Sequence, residues 1–186
     1  MKVYCDSDTL FHNIARHKDT PKAQTELHAL TRLLALRDAG KIAMFRSHLV
    51  TYEAMKTSNE TQRNRLIDDY NALQPILNDE KLLGFNIQIS QYTCINSPII
   101  SDVQDETIRK ELMDGGLEQR DAEHITQAVC NDCDVFLTRD EASIIKPYRQ
   151  WLEQRFPKLR VFLPSELLEF IAGAAAFVGG AQSQST

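Results

Sequence analysis

Short unbroken apolar runs alternate along the chain with longer segments whose apolar residues recur every three or four positions. Val3-Tyr4-Cys5, residues 42–45 and Val135-Phe136-Leu137 are runs of the first kind. Such runs suit strands covered on both faces, as in parallel sheets. Residues 85–89 and 160–163 read as two further strands. Leu27, Leu30, Leu34 and Ala35 form the core stripe of a helix predicted over residues 20–39. Thr20 or Asp19 caps it, Pro21 fits its first turn and Gly40 ends it. Ser47 is placed to cap a helix over 48–56. Asn59 starts a polar helix to residue 77, with Leu66, Ile67, Tyr70 and Leu73 on one face and a kink at Pro75. Further helices are predicted to start at 10–14 and to cover 105–113 (closed by Gly115-Gly116), 117–131, 147–156 and 164–171. Residues 90–102 show no period and read as loop. Strands alternating with helices predict an α/β fold, a three-layer α/β/α sandwich around a central, mainly parallel sheet. Residues 1–172 are expected to form a single domain, and the low-complexity residues 173–186 a flexible tail.

The chain has 186 residues, 42% hydrophobic and 25% charged, which is enough apolar material for one core without disulfides. Its four cysteines, Cys5, Cys94, Cys130 and Cys133, lie in or beside apolar runs and read as free thiols. Cys130 and Cys133 have the spacing of a zinc or redox pair, but no second pair accompanies them. The first residues carry no charged-then-apolar leader, and no run approaches the roughly 18 apolar residues of a membrane span. A cytoplasmic protein without a membrane partner is therefore expected. The net charge of −5 argues against binding nucleic acid through bulk positive charge. It leaves room for a protein that reaches phosphate through bound cations.

Candidate chemistry lies in carboxylates that stand where core residues are expected. Asp6 ends the first apolar strand, and Asp140 follows the strand Val135-Phe136-Leu137 after Thr138 and Arg139. In a parallel sheet both lie at carboxyl ends, on the edge where open α/β sheets bind ligands. Asp121 interrupts the stripe Leu117, Asp121, Ile125, Ala128, and Glu53 stands four residues after Leu49. Inward carboxylates are costly unless paired and raise one another's pKa values. A hard divalent cation with oxygen ligands removes both costs. Each acid also has a plainer reading: Asp6 and Asp140 as helix caps, Asp121 as a first-turn acid favoured by the helix dipole, Glu53 as the partner of an arginine. The histidines His12, His17, His28, His48 and His124 form no HExxH pattern. His124, three residues after Asp121, reads as a core or surface histidine, with a supporting place beside the acids as the alternative.

Val3-Tyr4-Cys5-Asp6-Ser7, Val50-Thr51-Tyr52-Glu53, Arg120-Asp121-Ala122-Glu123-His124 and Asp134-Val135-Phe136-Leu137-Thr138-Arg139-Asp140 together resemble a PIN domain. The ending Val161-Phe162-Leu163-Pro164-Ser165-Glu166 resembles that family's closing strand, Pro and short helix. The resemblance covers most of residues 1–170 and is poor over 78–118, which looks longer than usual. The family usually carries Asn where this chain has Asp8, which leaves Asp8 as either an added ligand or a cap. The resemblance implies a metal-dependent nuclease cutting single-stranded RNA, with Asp6, Glu53, Asp121 and Asp140 as catalytic residues holding Mg²⁺ or Mn²⁺. Ser7, Asp8 and Thr138 would then orient a ligand or a water, and Arg120 and Arg139 would meet substrate phosphates, with solvated surface arginines as the plainer reading. Many small members are toxins with an antitoxin partner, so an antitoxin-like protein and a second copy of the chain are the protein partners implied. Two rivals stand beside this. One is a PIN-like module that binds RNA or protein without cutting. The other is a haloacid-dehalogenase-like phosphatase, which Asp6-Ser7-Asp8-Thr9-Leu10 superficially resembles; Thr9 follows Asp8 directly there, and no downstream Gly-Asp motif is found.

Overall fold

The computed structural model describes residues 1–9, 20–75 and 105–180. Five strands form one sheet: β1 (Lys2–Cys5), β2 (Ala43–Arg46), β3 (Gln74–Pro75), β4 (Val135–Leu137) and β5 (Arg160–Phe162). Their order is β3-β2-β1-β4-β5 and every pairing is parallel, with Val3 opposite both Met44 and Val135. Among the described residues seven α-helices accompany them: α1 (Pro21–Asp38), α2 (His48–Met55), α3 (Glu60–Asn71), α4 (Glu106–Asp114), α5 (Gln119–Cys130), α6 (Lys146–Arg155) and α7 (Pro164–Gly180). The period of two along each strand sends side chains to opposite faces. Val3, Cys5, Met44, Val135 and Leu137 meet Leu30 and Leu33 of α1 and Leu167 of α7 on one face. Tyr4, Phe136 and Val161 meet Leu112, Ile125 and Leu152 of α4, α5 and α6 on the other. The result is the expected three-layer α/β/α sandwich.

Helix α1 begins as expected: the Thr20 hydroxyl accepts from Ala23 N, and Pro21 sits in the first turn. It ends in a Schellman turn, with Gly40 N–H donating to Arg37 O, Lys41 N–H to Leu36 O, and Gly40 at φ +70°. Its buried stripe is Ala23, Glu26, Ala29, Leu30 and Leu33, while Ala35 is exposed. Glu26 belongs to that stripe because its carboxylate accepts from both the backbone N–H and the hydroxyl of Ser165 at the start of α7. Asn59 caps α3 through Gln62 N, but α3 stops at Asn71 instead of running to 77. Gln74 and Pro75 instead pair with β2 as an edge strand, the place where a residue without N–H is tolerated. Before α6 a π-helical turn spans Glu141–Ile145, so the helical path starts earlier than residue 147. Helix α7 continues past residue 171 to Gly180, through much of the segment expected to fray. The predicted helix start at 10–14, the strand at 85–89, the loop at 90–102, and Cys94 lie outside the described residues. Among the described residues no helix is long and apolar enough to cross a membrane. Cys5 and Cys133 are free thiols, and burial pushes the Cys133 thiol up to about 12.

The strand order reverses between β1 and β4, because β1 leads outward to β2 on one side while β4 returns to its other side. A crevice opens beyond the carboxyl ends at such a switch point. Asp6 follows β1 and Asp140 follows β4, so both acids flank that crevice.

Candidate metal centre

Asp6 extends the ladder by one residue, its N–H donating to Leu137 O at 3.0 Å. The residue is 7% exposed. Oδ1 accepts from Ser7 N at 2.7 Å and Oδ2 from the Thr138 hydroxyl at 2.9 Å. Thr138 Oγ1 in turn accepts from Asp140 N at 3.1 Å, so one buried hydroxyl ties the two strand-end acids together. Asp8 does not extend the acid cluster as a bare ligand. Both its oxygens accept from Arg139 N at 3.0 Å, and Arg139 Nη1 donates to Asp8 O at 3.0 Å. Asp8 and Arg139 thus staple the loop after β1 to the loop after β4. Asp140 Oδ1 accepts from Ser143 N at 2.7 Å, the capping role of its plainer reading.

Helix α2 anchors itself through buried Leu49 and Val50 and presents Glu53 one turn later. The Ser7 hydroxyl hydrogen-bonds that carboxylate. Helix α5 carries Asp121 in its first turn and is buried continuously from Ala122 to Ala128. One turn after Asp121, His124 is 2% exposed and faces the acids. Its Nε2 lies 3.4 Å from Glu53 Oε1 and 3.8 Å from Asp6 Oδ1, and is buried without a hydrogen-bond partner among the described residues. Ligand atoms of Asp6, Glu53 and His124 all lie within 4.8 Å of one another. Asp121 and Asp140 stand outside that set. Arg120 bonds Glu123 Oε2 at 3.0 Å along its own helix. Sequence reasoning ranked His124 below the acids; its signal was the i, i+3 spacing to Asp121 on a helix buried all round.

The electrostatics follow from burial and crowding. Burial, then the charge of Asp6 and of Asp140, pushes the Asp121 carboxyl from 3.8 to about 6. Burial also raises Asp6, with Glu53 adding to the rise and His124 and Thr138 opposing it. Asp8 is raised well above its ordinary value by burial and then by Asp6, against the Arg139 N–H. Glu53 goes the other way: burial pushes it up, but His124, the Ser7 hydroxyl and Arg120 together bring it below the usual range. His124 is lowered by burial and raised by Asp6, Glu53 and Asp121, with a net rise.

A carboxyl whose folded pKa is raised supports folding below its unfolded value, and that support is lost as pH climbs through the folded one. For Asp121 the window runs from 3.8 to about 6. Solvent screening at this half-open site leaves about 1 kcal/mol of the effect. We therefore expect the melting temperature of Asp121→Asn, relative to wild type, to move in the variant's favour by about 3 °C between pH 4 and pH 7.5 without added metal. Calorimetric melts at both pH values check this; a difference that does not change with pH contradicts it.

Compared with known proteins, the chain matches no protein-family model. No curated protein matches its sequence.

Proposed function

We propose that this chain is a divalent-cation-dependent nuclease of the PIN type that hydrolyses phosphodiester bonds of single-stranded RNA. One observation carries the reading: Asp6 and Glu53 converge from β1 and α2, beside His124 of α5, on the crevice where the strand order reverses, with Asp121 near enough to feel the charge of Asp6 and Asp140. The donors fit a divalent cation. They are carboxylate oxygens, Asp6 and Asp121 being raised first by burial and then by neighbouring carboxylates, and a buried imidazole nitrogen faces them. Asp6 and Glu53 would hold the ion, with Asp121 and Asp140 at its margin. When bound, Mg²⁺ or Mn²⁺ supplies Lewis-acid polarisation of the phosphodiester and lowers the pKa of a water placed for in-line attack.

The surrounding residues have defined tasks in this reading. Thr138 holds Asp6 against Asp140, and Ser7 holds Glu53. Asp121, at about 6, is the carboxyl best matched to accepting a proton near neutral pH. A cavity of about 480 Å³ is lined by Lys22, Arg139 and Lys146 together with the carboxylates of Glu26, Asp140 and Glu141. These cations give the phosphates flanking the scissile bond a wall to lie against. Lys22 and Lys146 both pair with Glu141, so the wall is held in place within the protein.

A second reading has its own support. His124, raised and buried beside Asp6 and Glu53, is an internal cation that can balance those acids without metal, as a non-catalytic RNA- or protein-binding module requires. The test is incubation of labelled single-stranded RNA with the full chain and Mn²⁺, against an EDTA control. The expected result is cleavage in Mn²⁺ alone. RNA binding without cleavage supports the module. Hydrolysis of a phosphomonoester without RNA cleavage overturns both in favour of a phosphatase.

A further inference from the structure

We propose that Asp6, Glu53 and His124 form a one-imidazole, two-carboxylate site for a first-row transition cation such as Mn²⁺, Fe²⁺, Co²⁺ or Zn²⁺, in preference to Mg²⁺. This deepens the nuclease reading and rests on it for the ion's task, though not for its ligands.

The argument starts from His124. A buried imidazole nitrogen left without a hydrogen bond is costly, and buried polar atoms in native proteins nearly always find a partner. Here Nε2 is buried and makes no well-aligned hydrogen bond among the described residues; it faces the carboxylate oxygens of Glu53 and Asp6 at 3.4 and 3.8 Å. Ligand bonds of about 2.1 Å separate two ligand atoms by about 3.0 Å at right angles, about 3.5 Å at tetrahedral angles and about 4.2 Å in line. Both separations from Nε2 fall within that span.

The far side of the ring is equally prepared. Nδ1 lies 2.8 Å from Tyr4 Oη, and Tyr4 Oη lies 2.6 Å from Ser47 Oγ, all three side chains being buried. Tyr4 is itself held by stacking on Phe136, with ring centroids 5.7 Å apart at 10°. In the arrangement where Tyr4 donates to Ser47 and accepts from Nδ1–H, Nε2 carries the lone pair that faces the acids. Ligating histidines are commonly fixed through their other nitrogen in this way. Asp6 accepts from Ser7 N and from Thr138, and Glu53 from Ser7, so each ligand in the set has its own support.

The donor set decides the class of ion. Mg²⁺ favours oxygen donors and retains several waters, whereas imidazole suits the later first-row metals. A nitrogen placed at the centre of the cluster therefore shifts preference away from Mg²⁺.

The experiment uses the full chain stripped with EDTA, without RNA. Mn²⁺ and Mg²⁺ are titrated separately in a calorimeter, and the Mn²⁺-loaded protein is examined by pulsed electron paramagnetic resonance for coupling to a directly bound ¹⁴N. The expected result is Mn²⁺ binding on the order of 100-fold tighter than Mg²⁺, with nitrogen coupling that His124→Gln abolishes. Bound Mn²⁺ without nitrogen coupling in the wild-type protein overturns the proposal, whether or not the variant folds. Equal affinities, or no binding at millimolar Mn²⁺, overturn it too. RNA cleavage is scored separately. Nitrogen coupling without cleavage keeps this site and removes the nuclease reading, whereas cleavage without coupling does the reverse.

Discussion

Replacing Asp6 with Asn is expected to reduce cation-dependent cleavage of single-stranded RNA by more than about a hundredfold. Loss of a group that merely supports a metal ligand typically costs about 10- to 100-fold, and Asp6 is placed as a ligand itself. The substitution keeps the side chain's size and an acceptor for Thr138, while removing the negative charge and the acceptor for Ser7 N–H. Asp6 is raised by burial, so the neutral amide replaces a group already costly to ionise. The fold should therefore survive, and the variant should melt within a few degrees of wild type. Asp121→Asn is expected to lose cleavage as well, since its carboxylate feels both Asp6 and Asp140. Initial rates with a labelled oligoribonucleotide at saturating Mn²⁺ measure the loss, and circular dichroism measures the fold. If both purified variants cut RNA at the wild-type rate, the acids at the switch point are structural and the nuclease reading fails.

What the sequence made legible, and what it hid, follows from which signals are local. The strands β1 and β4 were readable because continuous apolar runs can only be satisfied with cover on both faces, and the carboxyl-end position of Asp6 and Asp140 came with them. The edge strand β3 was hidden: Gln74-Pro75 is polar, only two residues long, and follows a segment with strong helical spacing. Its pairing with Phe45 and Arg46 is a tertiary event that no window around residue 74 contains. Ala35 was misread as core, and nothing local marked Glu26 as buried, because its partner is Ser165, far along the chain. The π-helical turn after Asp140 was missed because Pro147 looked like a first helical residue. The Ala-rich end of α7 read as low complexity, although Ala is the strongest helix former. His124 was ranked as a core or surface histidine, with a place beside the acids only as the alternative. A single histidine on an apolar face carries no local mark of what it meets, and the acids that surround it come from β1 and α2.

The same histidine should dominate stability. His124→Gln is expected to lower the melting temperature by roughly 4–8 °C at about pH 6 in the absence of metal, corresponding to about 2 kcal/mol in a chain of this size. Removing one partner from a buried ionic group costs about 3–5 kcal/mol when the remaining charge is fully enclosed. Glu53 is 26% exposed at its side chain, which brings the expected cost below that range. Glutamine can still meet Tyr4, so the loss reports mainly the charge. The sign with pH is set by direction. The His124 pKa is raised above 6.5 in the folded protein, so its support is complete below 6.5 and is lost as pH climbs through the folded value. The gap between wild type and variant should therefore be wide at about pH 6 and should narrow towards about pH 9. Differential scanning calorimetry at the two pH values measures it. A gap that stays constant, or widens with pH, would mean that His124 supports the fold by packing against Tyr4 and not by balancing Asp6 and Glu53. The two carboxylates would then have to be neutralised by something else, and Glu53, held below its usual range largely by this imidazole, would be the first group to titrate differently.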